Sequence, residues 1–138
     1  MTRNLPTRSL VLDSEAVSSL ARSNRLVLAR LKVAADMDAV VVFPTIVLAE
    51  LLTGSPSDAA VWRIVKGLEA VDLTAAVAAQ AGRLRERAEK SRRKKRDLTV
   101  DAVVAATAMA FAPSTIVTGD TEDLTLLADG YDVKVLSI

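Results

Sequence analysis

The sequence predicts an α/β domain in which helices cover both faces of a mainly parallel β-sheet. Three short runs, SLVLD, AVVVF and STIVT, are continuously apolar and rich in β-formers, which is typical of strands buried on both faces of a parallel sheet. Helical segments lie between these runs, so strand and helix alternate along the chain. At 138 residues, of which 51% are hydrophobic, the chain can build one substantial core and is too short for two. We therefore expect a single domain spanning residues 1–138.

The elements can be placed in chain order. Strands are expected at 9–13, 39–43 and 114–118, with weaker candidates near residue 70 (AVDL) and at the end of the chain (VKVLSI). Helices are expected at 14–22, 24–36, 45–53, 58–67, 74–95, 99–111 and 121–128. In open α/β sheets, ligands bind outside the carboxyl ends of the strands. The residues that follow the strands are therefore the first candidates for a functional site.

The longest predicted helix has one apolar face. Four of its residues recur at the i, i+4, i+7 and i+11 spacing of a helical stripe: Val77, Ala81, Leu84 and Ala88. Three arginines fall off this stripe and are expected to face solvent: Arg83, Arg85 and Arg87. The apolar stripe is expected to pack against the sheet or a neighbouring helix.

The composition excludes several kinds of chemistry. Cysteine is absent, so the chain has neither disulfides nor a thiolate zinc site, in agreement with a reducing cytosol. Histidine is also absent, which removes imidazole acid–base catalysis, Ser-His triads and His-bound metals. Hydrolytic chemistry would have to use carboxylates, hydroxyls or a metal ion bound by oxygen.

The apolar segments do not predict export or a membrane span. The first 13 residues lack the uninterrupted apolar core of a signal peptide. The longest uncharged stretch, 102–119, contains Thr107, Pro113 and Ser114, which indicate a helix, a break and a new strand. We expect a cytoplasmic protein.

Acidic residues follow two of the core strands. Asp13 closes the first strand, and Asp120 follows STIVTG, so both should lie at the carboxyl edge of the sheet. Asp101 comes early in the helix that begins near Thr99, and Glu50 lies on the helix after the second strand. Four separate segments can therefore bring carboxylates to one crevice.

Each acid also has a structural interpretation. Asp13, Asp101 and Asp120 can cap helix N-termini, where a carboxylate contributes ~1 kcal/mol. Asp123 fits a capping box with Asp120. Glu50 lies beyond the first turn if Thr45 is the cap, among apolar neighbours where an unpaired carboxylate is costly. Its structural alternative is the exposed edge of an amphipathic helix.

Charge considerations point to a metal ion. Four carboxylates in one pocket would repel one another unless cations neutralised them, and an all-oxygen donor set suits Mg²⁺ or Mn²⁺. Such ions can activate water for attack on a phosphodiester. The segment 83–96 holds nine of the 18 basic residues, and the run Arg92, Arg93, Lys94 and Lys95 within it can bind the phosphates of a nucleic acid. Its alternative is a solvated helix end.

Four motifs, in this order, resemble those of the PIN-domain nucleases, in particular the VapC toxins of VapBC toxin–antitoxin pairs. The motifs are VLDSEAV, IVLAELLTG, DLTVDAVVAATAMA and IVTGDTEDL, and the match covers nearly the whole chain. The resemblance implies a PIN-like fold. It assigns metal-binding and catalytic roles to four acids, an auxiliary metal-site role to Asp123, and pocket hydroxyls to Ser14 and Thr118. The four acids are Asp13, Glu50, Asp101 and Asp120.

The resemblance also implies an activity and partners. It implies an Mg²⁺- or Mn²⁺-dependent endoribonuclease that acts on structured RNA, tRNA or rRNA, and leaves 5′-phosphate and 3′-hydroxyl ends. It further implies a homodimer that is inhibited by a VapB-type antitoxin. Glu15 departs from the family pattern, because a small or hydroxyl residue commonly follows the first aspartate by two places. The added charge at Glu15 would tune metal binding or point to solvent.

Two other functions fit parts of the sequence. A phosphoacceptor signalling domain also gathers acids at strand ends, but no lysine ends a late strand here. A PIN-like RNA-binding module without catalysis is the other, although the complete acidic set argues against it. The early helices are also unusually apolar, which either core packing or a partner-binding groove would explain. The apolar residues concerned are Val17, Leu20, Leu26, Leu28, Leu31 and Trp62.

Overall fold

A computed structural model describes residues 8–91 and 96–138 of the protein. Within these residues, five parallel strands form one sheet in the order β3-β2-β1-β4-β5. The strands are β1 (Ser9–Leu12), β2 (Val40–Pro44), β3 (Glu69–Val71), β4 (Ser114–Thr118) and β5 (Val133–Ser137). The three strong strand predictions and both weaker ones are confirmed.

Helices flank the sheet and give the three-layer α/β/α arrangement that the alternating pattern predicts. The helices are α1 (Ser14–Ala21), α2 (Arg25–Asp36), α3 (Ile46–Leu51), α4 (Asp58–Val65), α5 (Ala75–Glu89), α6 (Thr99–Ala110) and α7 (Thr121–Leu127). One group of mutual contacts joins α1 with α2, α3 and α4, and a second group joins α5, α6 and α7. No helix in the described ranges combines the length and hydropathy needed to cross a membrane.

The core forms where the sequence is continuously apolar. Every residue of β1 and β4 is buried, because β1 is the central strand and β4 pairs with it. Helix α6 has an unbroken buried segment, 102–108, built mainly of Ala and Val. The small side chains let α6 lie close to both α5 and the sheet. The uncharged stretch 102–119 is therefore the centre of the domain.

Helix α5 confirms the predicted stripe and corrects its polar side. Ala81, Leu84 and Ala88 are buried, as expected. Arg83 and Arg87 are exposed, as predicted, whereas Arg85 is only partly exposed, and both Arg85 and Arg87 also make contacts within the protein. The Arg85 guanidinium donates to Thr99 Oγ1 at 2.9 Å. Arg87 donates to the carbonyl oxygens of Leu127 and Asp129, each at 3.0 Å, and lies 5.6 Å from the centroid of the Tyr131 ring. These arginines tie α5 to α6 and to the end of α7.

Two predicted boundaries differ from the structure. Helix α5 ends at Glu89 and not near residue 95, and residues 92–95 lie outside the described part of the chain. Thr45 occupies the N-cap position of α3, as predicted, but it already has helical backbone angles and its side chain makes no capping hydrogen bond. Threonine fits the cap by residue type, but a capping oxygen needs an extended backbone at that position.

The strand order creates one crevice at the carboxyl edge of the sheet. The chain runs outward from β1 to β2 and β3 on one side, and β4 and β5 extend the sheet on the other side. The direction of winding therefore reverses between β1 and β4. Doubly wound sheets bind ligands at such a reversal, because the connections leave a gap there. Asp13 follows β1 and Asp120 follows β4, so both border this gap.

Candidate metal centre

Asp13 is a buried carboxylate at the end of β1. Its backbone is extended and its Oδ1 accepts a hydrogen bond from Ala16 N at 2.9 Å, so it caps α1 as its structural interpretation predicts. The residue is only 5% exposed. Burial raises the pKa of Asp13 to about 6, against the hydrogen bonds from Thr118 and Ala16, and the charges of Glu15 and Glu50 raise it further. Helix capping alone does not explain why an ionisable carboxyl group is buried at this position.

Thr118 links the two strand ends. Its side chain is fully buried and hydrogen-bonds to the Asp13 carboxylate. Its Oγ1 also accepts a hydrogen bond from Asp120 N at 2.8 Å. The hydroxyl therefore fixes the acid that follows β1 and the backbone of the acid that follows β4. This is the position that the resemblance assigned to Thr118.

Asp120 and Asp123 form half of the predicted capping box. Asp120 Oδ1 accepts a hydrogen bond from Asp123 N at 3.3 Å, so Asp120 caps α7. The backbone N–H of Asp120 is bound by Thr118, and the Asp123 carboxylate accepts a hydrogen bond from Arg96 Nε at 3.1 Å. The side chain of Asp123 thus points toward the crevice and not only back to its own helix.

Asp101 is not the cap of α6. The N-cap position is Leu98, whose side chain makes no capping hydrogen bond. The residue before it, Asp97, accepts hydrogen bonds through Oδ1 from Thr99 N at 3.0 Å and from Thr99 Oγ1 at 2.6 Å. Asp101 lies in the first turn, and its Oδ2 accepts a hydrogen bond from Arg96 Nη2 at 2.6 Å. Burial raises the pKa of Asp101 to about 6, Arg96 opposes the increase, and the charges of Asp120, Asp13 and Asp123 add to it.

Three acids converge to form what we call the acidic triad: Asp101, Asp120 and Asp123. One carboxylate oxygen from each lies within 4.8 Å of the others, a spacing that can hold a metal ion. The guanidinium of Arg96 lies among them, with its Nη2 in contact with Asp101, Asp120 and Asp123. A cation therefore already has a place between these carboxylates. The donor set consists of oxygen atoms only, which fits Mg²⁺ or Mn²⁺.

Glu50 lies beside the triad and not within it. Its side chain is exposed, which matches the structural alternative of an exposed helix edge, and its Oε1 accepts a hydrogen bond from Ser14 Oγ. The Ser14 contact joins the start of α1 to α3. Glu50 still acts on the site electrostatically, because its charge contributes to the raised pKa of Asp13.

Glu15 is a further carboxylate at the same edge. A Cβ built on Gly119 would lie 1.4 Å from Glu15 Oε2, so the Glu15 carboxylate covers the bare Cα of Gly119. Gly119 directly precedes Asp120, and the charge of Glu15 raises the pKa of Asp13. Glu15 is also exposed, so its carboxylate borders the site and faces solvent at the same time.

Sequence reasoning missed Arg96. In the sequence, Arg96 is only the last residue of the basic segment 83–96. The four basic residues predicted to bind RNA, Arg92 to Lys95, lie outside the described residues. Its pairing with Asp120 and Asp123 spans 24 and 27 residues, which no local pattern reveals. The one available signal was a cation five residues before a candidate metal ligand, Asp101.

Comparison with known proteins agrees with this architecture. A protein-family model described as "PIN domain" matches residues 10–128. The search of curated protein sequences finds no match.

Solved structures resemble the whole domain. One is VapBC2 from Rickettsia felis bound to a DNA fragment from its promoter, with a TM-score of 0.75 and 19% identity over 94% of this chain and 98% of that chain. Another is FitAB bound to the IR36 DNA fragment, with a TM-score of 0.66 and 23% identity over 93% and 94% of the two chains. FitAcB from Neisseria gonorrhoeae has a TM-score of 0.66 and 25% identity over 92% and 96%. The family match and the shared fold lead to one conclusion: this chain belongs to the PIN domain family.

Proposed function

We propose that this chain is a metal-dependent endoribonuclease toxin of the VapC type, which acts in the cytoplasm on structured RNA such as tRNA or rRNA. The observation that carries the proposal is the acidic triad, whose oxygens lie within 4.8 Å of one another at the winding reversal of a PIN domain. Membership of this family favours a nuclease over a phosphoacceptor domain.

The proposed metal site uses Asp101, Asp120 and Asp123, with Asp13 and Glu50 as further acids. A bound Mg²⁺ or Mn²⁺ would lower the pKa of a coordinated water and stabilise the oxygen that leaves the phosphodiester. Thr118 and the Ala16 backbone hold Asp13 in place, and Ser14 holds Glu50. These contacts fix the acids before substrate arrives, which reduces the reorganisation needed on binding.

The basic run Arg92, Arg93, Lys94 and Lys95 is the proposed RNA-binding segment. It directly precedes Arg96, whose guanidinium lies among the triad, so the run joins the site through the chain itself. Lys and Arg side chains bind phosphate through contacts that weaken with salt. An acidic metal site and a basic run close to it in the sequence suit a substrate that carries several phosphates, some for the basic side chains and one for the metal ion.

The proposed partners are a VapB-type antitoxin and a second copy of this chain. The similar structures are of VapBC and FitAB complexes, by their names. This protein also exposes large apolar side chains on α2 and α4, namely Leu26, Leu28, Val33 and Trp62. Exposed apolar surface of this kind commonly marks protein interfaces. Of the early apolar residues, Val17 and Leu20 belong to the core and Leu26, Leu28 and Trp62 do not.

A cleavage assay tests the proposal. Purified protein with Mg²⁺ or Mn²⁺ should cut total tRNA or rRNA and leave 5′-phosphate and 3′-hydroxyl ends, and EDTA should stop the reaction. Asp101→Asn and Glu50→Gln should each reduce the rate about 100-fold or more, because each removes a proposed acid of the site.

Matched controls lie at the opposite edge of the sheet. Asp132→Asn and Glu69→Gln remove exposed acids near the amino ends of β5 and β3, and should leave the rate unchanged. Cleavage that is equal in wild type and Asp13→Ala would refute the proposal. RNA binding without cleavage, together with calorimetry that detects no Mn²⁺ binding, would favour the non-catalytic binding module.

A further inference from the structure

Arg96 occupies the centre of the acidic triad from the solvent side. Its Nη2 contacts Asp101 at 2.6 Å and Asp123 at 3.1 Å, and it also contacts Asp120. The Arg96 side chain is 53% exposed, whereas those of Asp101, Asp120 and Asp123 are 19%, 31% and 10% exposed. The guanidinium therefore lies over the mouth of the crevice, with the carboxylates beneath it.

The backbone beside Arg96 is anchored. The next residue, Asp97, accepts hydrogen bonds from Thr99 N and Oγ1 at the start of α6, and Arg85 donates to the same Thr99 hydroxyl. The following Leu98 is fully buried. The position of Arg96 is thus set by the start of α6, the helix that also carries Asp101.

The charges require a cation at this place. Carboxylate oxygens within 4.8 Å of one another repel strongly when all are ionised. The guanidinium supplies one positive charge and forms charge-assisted hydrogen bonds to the acids. Arginine does not lose its proton in the physiological range, and the surrounding acids hold it in the charged form, so pH cannot remove this charge.

We propose that Arg96 is a built-in counterion that competes with the divalent metal ion for the acidic triad. It holds the acids together in the metal-free protein, and a metal ion must displace its guanidinium to bind. Arg96 therefore lowers the affinity of the site for metal and sets the metal concentration at which the protein becomes competent. The inference rests on the proposed function, because it takes the triad as the metal site.

Calorimetric titration with Mn²⁺ in the absence of RNA tests the inference. Arg96→Gln should bind Mn²⁺ about tenfold more tightly than wild type, the factor expected when hydrogen bonds to charged groups no longer have to be broken. The matched control is Arg83→Gln, which removes an exposed arginine that bonds only within α5, to Gln80, in the described contacts. It should bind Mn²⁺ as the wild type does.

Thermal denaturation gives a second measurement. Without metal, Arg96→Gln should unfold at a lower temperature than Arg83→Gln, because the triad has lost its cation, and Mn²⁺ should raise its Tm more than that of wild type. If Arg96→Gln does not fold, Arg96→Lys replaces it. A lysine keeps the charge but lacks the planar guanidinium that reaches several acids at once. The Mn²⁺ affinity of Arg96→Lys should therefore be intermediate, tighter than that of wild type and weaker than that expected for Arg96→Gln.

Equal or weaker Mn²⁺ binding by both Arg96 variants would overturn the inference, as would the absence of Mn²⁺ binding in every variant. The outcome is separable from that of the proposed function. Tighter Mn²⁺ binding by Arg96→Gln, with no RNA cleavage by wild type, would support the counterion and refute the nuclease. RNA cleavage by wild type, with the same Mn²⁺ affinity in Arg96→Gln as in wild type, would support the nuclease and refute the counterion.

Discussion

At the residue scale, Asp13 combines two roles with opposite energetic effects. Its carboxylate caps α1 by accepting a hydrogen bond from Ala16 N, which stabilises the fold. Its burial raises the pKa to about 6, so ionisation at neutral pH costs stability. A side chain that keeps the cap and loses the charge would suit the fold better. We therefore attribute the carboxylic acid at this position to a chemical role in the proposed metal site and not to the stability of the fold.

Replacing Asp13 with Asn should stabilise the metal-free protein at pH 7. Because the folded pKa of about 6 lies above the ordinary value of 3.8, the Asp13 contribution is most favourable at pH values below 3.8 and is lost as pH rises through 6. Asn keeps a capping oxygen and avoids this loss, so the free energy of unfolding should rise by about 1–3 kcal/mol at pH 7. Urea denaturation in EDTA at pH 4 and pH 7 measures the difference.

The control for this experiment is Asp132→Asn, which removes an exposed acid near the start of β5. It should change stability little at either pH. The Asp13→Asn advantage should become small near pH 4, because the wild-type acid is then protonated in the folded state and roughly half protonated in the unfolded state. Lower stability of Asp13→Asn at pH 7 would contradict this explanation of the raised pKa.

Glu15 provides a second prediction at this scale. Its charge contributes to the raised pKa of Asp13, so Glu15→Gln should lower the Asp13 pKa in the metal-free protein. Gly119→Ala should act in the same direction, because the new Cβ would occupy the position of the Glu15 carboxylate and force it away. NMR titration of the Asp13 carboxyl carbon measures both changes. Glu69→Gln, remote from the site, should leave the Asp13 pKa as it is.

At the element scale, α6 and the residues before it position much of the site. Asp97 accepts a hydrogen bond from Thr99, the first residue of the helix, Leu98 is fully buried, and Asp101 lies in the first turn. The buried segment 102–108 then fixes the helix between α5 and the sheet. Arg96 and Asp101 are therefore positioned by core packing and not by a free loop.

Leu98→Ala tests this dependence. Leu98 is fully buried, so truncation leaves a cavity and should lower the free energy of unfolding by about 2–5 kcal/mol. It should also weaken Mn²⁺ binding, because the helix start that carries Asp101 loses its anchor. Leu73→Ala is the control, since Leu73 is 43% exposed. Denaturation and Mn²⁺ calorimetry on both variants provide the measurements, and an unchanged Mn²⁺ affinity in Leu98→Ala would show that the site does not depend on this packing.

The sequence predicted elements better than side-chain contacts, for physical reasons. Buried strands and long helices produce local patterns, so β1, β4 and α6 are predicted to within one or two residues. Local patterns do not report which charged groups meet across the chain, and the contact of Arg96 with Asp123 was invisible for that reason. Glu50 looked buried because its neighbours are apolar, yet a six-residue helix at the edge of the crevice leaves it exposed.

At the scale of the whole molecule, opposite charges meet at one edge of the sheet. The acidic triad lies at the winding reversal between β1 and β4, and the guanidinium of Arg96, the last basic residue of the segment 83–96, contacts it. The net charge of the chain is only +1, which conceals this separation. A polyanion approaching the acidic crevice would need basic side chains beside it to offset the repulsion.

Neutralising the basic run should weaken RNA binding without abolishing the chemistry. Changing Arg92, Arg93, Lys94 and Lys95 together to Gln should reduce affinity and flatten its dependence on salt, because fewer phosphate contacts release fewer counterions. RNA affinity measured at several salt concentrations, with cleavage at saturating RNA, tests this. A control with the same charge change replaces four exposed basic residues elsewhere: Arg25, Lys32, Lys66 and Lys134. Equal salt slopes for the two variants would assign the run to another role.

The winding reversal between β1 and β4 also has a consequence for synthesis. The crevice needs β1 and the later strand β4, which is made about 100 residues after β1, with Asp120 and Asp123 following β4. A nascent chain that has released only β1 to β3 holds Asp13 and Glu50 but lacks the triad. The acids therefore come together only after β4 and the start of α7 have been translated, so a growing chain that ends before them carries no complete site.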